Sequence, residues 1–153
     1  MLAFIIVISC IFIDQITKLL VLSNLRGNSP VILIDNLLSF VYVENRGAAF
    51  GILQNKQWLF VLVTVLSVCI LLYVLIFYYK NLSLWLLFSL SLILGGTIGN
   101  FIDRIRLGFV VDFISVKILN RYNFAVFNLA DSFIVIGAIM LVFYIIFLEP
   151  KVS

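Results

Sequence analysis

Four long apolar stretches, at about residues 2–22, 58–79, 84–102 and 127–148, constrain the fold of this chain more than any other feature. A hydrocarbon core of about 30 Å is crossed by roughly 20 helical residues, and each stretch has about that length. Hydrophobic residues make up 65% of the 153-residue chain and charged residues only 11%. Because a soluble core of this size cannot bury so much apolar surface, the sequence predicts a membrane α-helical protein with four transmembrane helices.

Short connections between these spans set the topology. The second and third spans are joined by residues 80–83, which are too few for a domain, so these spans form a helical hairpin. Four spans place both termini on one side of the membrane, with residues 24–57 and 103–126 on the other side. We expect residues 1–153 to form a single integral membrane domain.

The two longer connections differ in their residue pattern. Residues 24–57 contain turn formers such as Pro30, and residues 39–44 then alternate in a strand-like period, which predicts a small β-rich insert. Residues 103–126 place several charged side chains among apolar ones. That pattern predicts an amphipathic segment lying at the membrane interface.

The composition excludes several classes of function. The chain contains no histidine, which removes Ser-His and Cys-His nucleophiles, zinc helix motifs and haem ligation by His. Its ten basic and seven acidic residues are scattered between apolar runs, so we expect no nucleic acid partner. The N-terminal apolar stretch lacks a basic leader and a small-residue cleavage site, and we interpret it as a retained span rather than a signal peptide.

Two Asn-x-x-Asp pairs lie at the ends of spans. Asn100 and Asp103 close the third span and are followed at once by Arg104, and polar groups at that depth usually face a protein interior or a water-filled cleft. Asn128 and Asp131 repeat the spacing at the start of the fourth span. Helix capping explains the second pair equally well, but the repetition favours a functional site.

Neighbouring features have both structural and functional interpretations. Gly95 and Gly99 form a small-residue face that allows close helix packing, and packing alone explains them. Asp14 and Lys18 stand four apart on one face of the first span, so they can pair within it.

The first long connection ends in a polar motif. Asn45 and Arg46 offer hydrogen-bond donors, and Gly47 and Gly51 permit backbone geometry closed to other residues. Such a motif could hold a peptide backbone or an anionic group. An ordinary turn before the second span explains it as well.

Asp112 lies between large apolar residues in the sequence Val-Val-Asp-Phe-Ile. A carboxyl group in such a setting has its pKa raised by desolvation, and also by like-charge repulsion if it lies near Asp131. Two carboxyl groups that share one proton are what an aspartic peptidase needs, since the ionised one takes a proton from water and the protonated one polarises the scissile carbonyl. A solvated loop acid is the alternative, and spacing alone leaves Asp103 an equal candidate for the pair.

Taken together, these residues make the chain resemble the lipoprotein signal peptidase family, signal peptidase II of bacteria. The resemblance covers nearly the whole chain, and its last three motifs are highly specific in their order and spacing. The motifs are Asp14-xxx-Lys18, Asn45-Arg46-Gly47-Ala48-Ala49-Phe50, Gly95-Gly96-xx-Gly99-Asn100-xx-Asp103-Arg104, Val110-Val111-Asp112-Phe113 and Phe127-Asn128-x-Ala130-Asp131.

The resemblance implies a catalytic pair made of Asp112 and Asp131, in preference to Asp103. It also implies four transmembrane helices with cytoplasmic termini, a small extracytoplasmic β-cradle, and an interfacial helix before the fourth span. The implied substrate is a prolipoprotein whose lipobox Cys carries a diacylglyceryl group, cut on the amino side of that Cys. Residues that match positions lining or supporting the family's site are Asn45, Arg46, Gly47, Asn100, Asp103, Arg104, Asn128, Asp14 and Lys18.

The resemblance further implies a multi-pass protein of the bacterial cytoplasmic membrane with its active site at the extracytoplasmic surface. We expect a monomer that contacts its substrate and membrane lipid and needs no cofactor and no metal ion. The distribution of Lys and Arg conflicts with this orientation, because the positive-inside rule would place the more basic loop side in the cytoplasm. The basic residues on that side are Arg26, Arg46, Lys56, Arg104, Arg106, Lys117 and Arg121, against Lys80 and Lys151 on the terminal side.

Three other functions are compatible with parts of the sequence. A small proton-coupled transporter could use Asp14 and Lys18, although the second and fourth spans are almost without polar residues. A non-enzymatic subunit could use the glycine face for assembly, which would leave both Asn-x-x-Asp pairs unexplained. A carboxylate-bound Mg²⁺ enzyme acting on phosphates is the third, and insensitivity to chelators would argue against it.

Overall fold

A computed structural model of the chain describes residues 1–47, 57–118, 122–123 and 125–148. In chain order its elements are α1 (Leu2–Asn24), β1 (Val31–Ile34), β2 (Leu38–Asn45), α2 (Gln57–Phe77), a 3₁₀ turn (Tyr79–Asn81), α3 (Leu84–Leu107), β3 (Val110–Ile118), β4 (Tyr122–Asn123) and α4 (Leu129–Phe143), which continues as a π turn (Tyr144–Leu148).

The apolar helices meet the length that a bilayer requires. Among the described residues, α1, α3 and the continuous segment Leu129–Leu148 are each long and apolar enough to cross a membrane, and α2 carries the apolar stretch Val61–Phe77. The membrane α-helical fold predicted from the sequence is confirmed. The third helix extends five residues beyond the predicted end at 102, and it ends where Gly108 adopts the left-handed conformation (φ 79°) that closes its last turn.

Close contacts through glycine place α3 against both α1 and α4. A Cβ atom built on Gly95 would lie 2.6 Å from Cys10 Cβ, and one built on Gly99 would lie 2.6 Å from Asp14 Oδ2. One built on Gly96 would collide with the carbonyl oxygen of Ala130. The small-residue face predicted at Gly95 and Gly99 is therefore a packing surface, and it brings the polar residues of three helices together.

An antiparallel sheet with strand order β1-β2-β3-β4 covers one end of the helices. The strand predicted at residues 39–44 is present within β2. Its register with β3 pairs Val43 with Asp112 and Asn45 with Val110. This pairing brings the two polar side chains Asn45 and Asp112 to neighbouring positions of the sheet.

The prediction of an interfacial helix within residues 103–126 is wrong for the part of that segment that the structure describes. Residues 103–107 complete α3, and residues 110–118 form β3. The β-branched residues Val110, Val111 and Ile114 favour a strand, and β2 supplies the neighbouring strand that satisfies its backbone hydrogen bonds. The charged residues of this segment were compatible with either conformation.

A small apolar cluster fixes the sheet to the end of α1. Val21 of α1 and the C-cap residue Leu25 pack with Phe109, which precedes β3, and with Val111 and Phe113 of β3. Because residues alternate across a strand, packing Val111 and Phe113 in this cluster leaves Asp112 on the opposite face. The cluster thereby determines the direction in which the Asp112 carboxyl points.

Replacing Gly96 with alanine should destabilise the protein. The added Cβ would press on the Ala130 backbone, and such overpacking costs about 1–3 kcal/mol, more than the roughly 1 kcal/mol that alanine gains in helix propensity. Thermal unfolding in detergent should show a lower midpoint for Gly96→Ala. The control Thr97→Ala removes atoms at the next position of α3 and should change the midpoint less, whereas equal midpoints for both variants would contradict the contact.

Candidate active site

Asp112 and Asp131 are brought together by a single asparagine, Asn128. The Nδ2 group of Asn128 donates to Asp112 Oδ1 at 2.7 Å, while its Oδ1 atom accepts from the Asp131 backbone N–H at 2.9 Å. Asp131 Oδ2 in turn accepts from the Asn128 backbone N–H at 3.2 Å. Asn128 is the N-cap of α4 in a full capping box, so the capping interpretation is confirmed, and the same asparagine also contacts Asp112.

Asn100 of α3 provides the second link between the carboxyl groups. Its Nδ2 group donates to Asp131 Oδ1 at 2.7 Å. Its Oδ1 atom accepts from Asn128 Nδ2 at 3.0 Å and from Lys18 Nζ at 2.8 Å. The two asparagine amides are therefore hydrogen-bonded to each other, and each donates to a different carboxyl group.

Lys18 and two carboxylates form a buried ionic cluster beside these amides. Lys18 Nζ lies 2.9 Å from Asp14 Oδ2 and 3.0 Å from Asp103 Oδ2, and all three side chains are at most 3% exposed. The Asp14–Lys18 pair predicted from the four-residue spacing is present. Asp103 forms an ion pair with Lys18. Asp112 and Asp131 are instead bound by asparagine side chains, which distinguishes them from Asp103.

The same cluster holds the ends of two other elements. Asp14 Oδ1 accepts from the backbone N–H of Ala130 in the first turn of α4, and Asp103 Oδ2 accepts from that of Val111 in β3. A carboxylate at a helix N-terminus is favoured by the helix dipole and by the unpaired N–H groups there. Asp131 follows Ala130 and Asp112 follows Val111, so these hydrogen bonds fix the backbone next to each of the two carboxyl groups.

Sequence reasoning missed Gln15, which completes the cluster. Its Nε2 group donates to Asp103 Oδ1 at 3.0 Å, and to Asp14 Oδ2 and the Gly99 carbonyl oxygen at 3.2 Å each. The Oε1 atom of Gln15 accepts a hydrogen bond from the guanidinium of Arg106 at 3.5 Å. The available signal was a second polar residue next to Asp14 in an otherwise apolar span, where polar groups usually face a protein interior.

The motif at the end of β2 contributes one direct contact to the pair. Asn45 Nδ2 donates to Asp112 Oδ2 at 2.8 Å, and the buried N–H of Gly47 donates to Asn45 Oδ1 at 3.0 Å, which fixes the amide. Arg46 instead forms an ion pair with Glu44 at 2.9 Å and lies over the Phe109 ring. The predicted motif residues Ala48, Ala49, Phe50 and Gly51 lie outside the described residues.

Negative charge exceeds positive charge in this site. Arg104 is close enough to interact electrostatically with Asp131, Asp112 and Asp103. With all groups ionised, four carboxylates and two cations leave a net charge of −2, and one bound proton reduces it to −1. The groups counted are Asp14, Asp103, Asp112, Asp131, Lys18 and Arg104.

The pKa of Asp112 is raised from its ordinary value of 3.8 to about 6. Burial in the protein is the main cause, and the charge of Asp131 raises it further, while hydrogen bonds from Asn45 and Asn128 and the charge of Lys18 act in the opposite direction. Asp112 therefore keeps its proton to a higher pH than an ordinary aspartic acid, up to about pH 6.

The chain is similar to known proteins in both sequence and fold. The family described as signal peptidase (SPase) II matches residues 6–147. The chain is 44% identical over 151 residues to a lipoprotein signal peptidase of Clostridioides difficile (strain 630), covering 99% of each. It is 50% identical over 147 residues to that of Caldanaerobacter subterraneus subsp. tengcongensis, covering 95% of this chain and 96% of the relative. A solved bacterial membrane enzyme superposes with a TM-score of 0.85 at 30% identity, covering 99% of this chain and 93% of that one.

The raised pKa of Asp112 should make the stability of the protein depend on pH. Since the folded state binds this proton more tightly than the unfolded state, its contribution to stability is present near pH 4 and is lost as the pH rises to about 6. Asp112→Asn removes the titration, so its unfolding free energy relative to the unaltered protein should rise by up to about 3 kcal/mol across this range. Thermal unfolding of both proteins in detergent at pH 4, 5, 6 and 7 measures this difference, and parallel pH dependences would contradict it.

Proposed function

The chain belongs to the signal peptidase II family, and from that premise we propose that it is an aspartic peptidase in which Asp112 and Asp131 are the catalytic residues. It is a multi-pass membrane peptidase that removes the signal peptide from prolipoproteins. The observation that carries the proposed catalytic type is that Asn128 donates to both carboxyl groups, to Asp112 Oδ1 from its side-chain Nδ2 and to Asp131 Oδ2 from its backbone N–H.

The proposed mechanism uses one ionised and one protonated carboxyl group. Asp131 takes a proton from a water molecule, whose oxygen attacks the carbonyl carbon of the scissile peptide bond. Asp112 holds the other proton, because its pKa is raised, and donates a hydrogen bond to the carbonyl oxygen as negative charge develops there. The carbon–nitrogen bond then breaks, the leaving nitrogen takes the proton that Asp131 accepted from water, and the acyl carbon keeps the oxygen of water as a carboxylic acid.

The position of the pair supports a peptide bond at the membrane surface as the target. Asp131 lies in the first turn of the membrane-spanning segment Leu129–Leu148, and Asp112 lies in the sheet beyond the helix ends. We propose that the substrate Cys carries a diacylglyceryl group whose chains stay in the lipid, and that the cut falls on the amino side of that Cys. Anchoring in the bilayer would then set the depth of the scissile bond and supply much of its orientation.

We place the sheet on the extracytoplasmic side of the bacterial cytoplasmic membrane, with cytoplasmic termini and a monomeric chain. Three basic residues of the sheet side have structural partners that account for their presence without the positive-inside rule. Arg26 and Arg46 both pair with Glu44, at 3.7 and 2.9 Å, and Arg104 interacts with the carboxyl groups of the site. The alternative of a proton-coupled transporter is not favoured by the family membership.

Replacing either catalytic residue with asparagine should abolish cleavage. Purified Asp112→Asn and Asp131→Asn, tested in detergent on a diacylated lipobox peptide, should lose at least about 100-fold in rate, the lower range for removing a general acid or base. Chelator should not reduce cleavage by the unaltered enzyme. Asp35→Asn makes the same chemical change at an exposed position in the turn between β1 and β2, and it should cleave normally.

These outcomes separate the proposed mechanism from its alternatives. Retained cleavage by either folded catalytic variant would refute the aspartic pair, and loss of activity with chelator would favour a metal-dependent enzyme. A parallel reaction with the same peptide lacking the diacylglyceryl group tests the substrate proposal. Equal cleavage of both peptides would show that lipid anchoring does not set the specificity.

A further inference from the structure

We propose that Lys18 is a positioning residue that acts on Asp131 through Asn100, by holding the Asn100 amide so that it donates a hydrogen bond to the Asp131 carboxylate. The inference rests on the proposed catalytic pair. It assigns to Lys18 a role in the reaction that a buried ion pair alone would not have.

The contacts of Lys18 are directional. Its ammonium is 2% exposed and has three oxygen neighbours, namely Asp14 Oδ2 at 2.9 Å, Asp103 Oδ2 at 3.0 Å and Asn100 Oδ1 at 2.8 Å. An ammonium has three donors and no acceptor. These three contacts use its full hydrogen-bonding capacity, so one donor is committed to Asn100.

This contact fixes the orientation of the Asn100 amide. Because Lys18 can only donate, the amide oxygen must face it, and the amide nitrogen must then face Asp131 Oδ1, which it reaches at 2.7 Å. A reversed amide would bring two donors together at Lys18 and two acceptors together at Asp131. The ammonium also polarises the amide, which strengthens the hydrogen bond that Asn100 donates.

Lys18 influences Asp131 through the Asn100 amide that lies between them, and not through an ion pair. An ammonium in contact with Asp131 would hold its carboxylate so strongly that proton transfer from water would be opposed. A neutral amide between them transmits orientation and a weaker electrostatic influence. The relay therefore holds the Asp131 carboxylate in place and still allows it to act as a base.

Other charged groups also face the pair, and the test must separate Lys18 from them. The sheet presents the neutral amide of Asn45 to Asp112, and the neighbouring Glu44 and Arg46 pair with each other. The charged groups that the helices present are Asp14 and Lys18 on α1, and Asp103 and Arg104 on α3.

A double-mutant cycle tests the relay. Cleavage of the diacylated peptide is measured for Lys18→Met, Asn100→Ala and the double variant, with Lys80→Met as a control that removes an exposed lysine in the 3₁₀ turn. We expect Lys18→Met to lower kcat by about 100-fold with little change in KM, because a displacement of a catalytic group by about 1 Å can cost a factor of this size. In the Asn100→Ala background the same substitution should lower kcat less than about threefold, because residues that act as a unit are not additive. Additive losses would overturn the relay.

The pH dependence gives a second readout that a purely structural role would not move. Burial raises the pKa of Asp112, and the charge of Lys18 opposes that effect. Removing the charge should therefore move the limb of the bell-shaped pH–rate profile that reports Asp112 to higher pH in Lys18→Met. A loss of rate that is equal at all pH values would reflect a smaller folded fraction and would overturn the proposal. This profile decides the question if Asn100→Ala has no measurable activity.

If Lys18→Met does not fold, a double variant that restores the charge of the cluster still tests the role of Lys18. Asp14, Lys18 and Asp103 together carry −1, the single variant would carry −2, and Asp14→Asn with Lys18→Met restores −1. Comparing this double variant with Asp14→Asn alone then gives the effect of Lys18 on kcat and on the pH profile. Loss of cleavage in Asp131→Asn together with no Lys18 effect would refute the relay alone, whereas retained cleavage in Asp131→Asn would refute the catalytic pair.

Discussion

The rest of the structure depends on the compensation of one buried ammonium by two carboxylates. Lys18 lies between Asp14 and Asp103, and each of these carboxylates also accepts a hydrogen bond from a backbone N–H of another element. Burial of any one of these charges without its partners would cost several kcal/mol. The cluster therefore forms only when α1, α3, the start of α4 and the start of β3 are all in place, and Asp112 and Asp131 are the next residues along the last two elements.

Within the part of the chain that the structure describes, neutral amides make the direct contacts observed to the Asp112 and Asp131 carboxyl groups. A cation at hydrogen-bonding distance would hold both carboxyl groups ionised, and the pair would then lack the proton that polarises a carbonyl. Amides donate hydrogen bonds without adding charge, so they orient the carboxyl groups and leave the proton available. Lys18 acts on Asp131 only through the Asn100 side chain that separates the two groups.

Local patterns in the sequence predicted the features that depend on neighbours in the chain. Apolar length predicted the spans, the four-residue spacing predicted the Asp14–Lys18 pair, and the Asn128–Asp131 spacing predicted a helix start, all of which are present. The strand at residues 110–118 could not be predicted in the same way, because its partner is β2, more than sixty residues earlier. The placement of Asp112 follows from that register, which is why spacing alone could not separate it from Asp103.

The membrane explains why the site lies where the helices meet the sheet. Open sheet edges and irregular backbone are not tolerated in hydrocarbon, so the sheet must lie at the surface, while the apolar segment that begins at Leu129 belongs to the bilayer. Water needed for hydrolysis is available on one side of this boundary, and the proposed lipid-anchored substrate would be held on the other. The proposed pair, with one carboxyl group on each element, would then meet both reactants, because the bilayer itself limits which peptide bonds reach that depth.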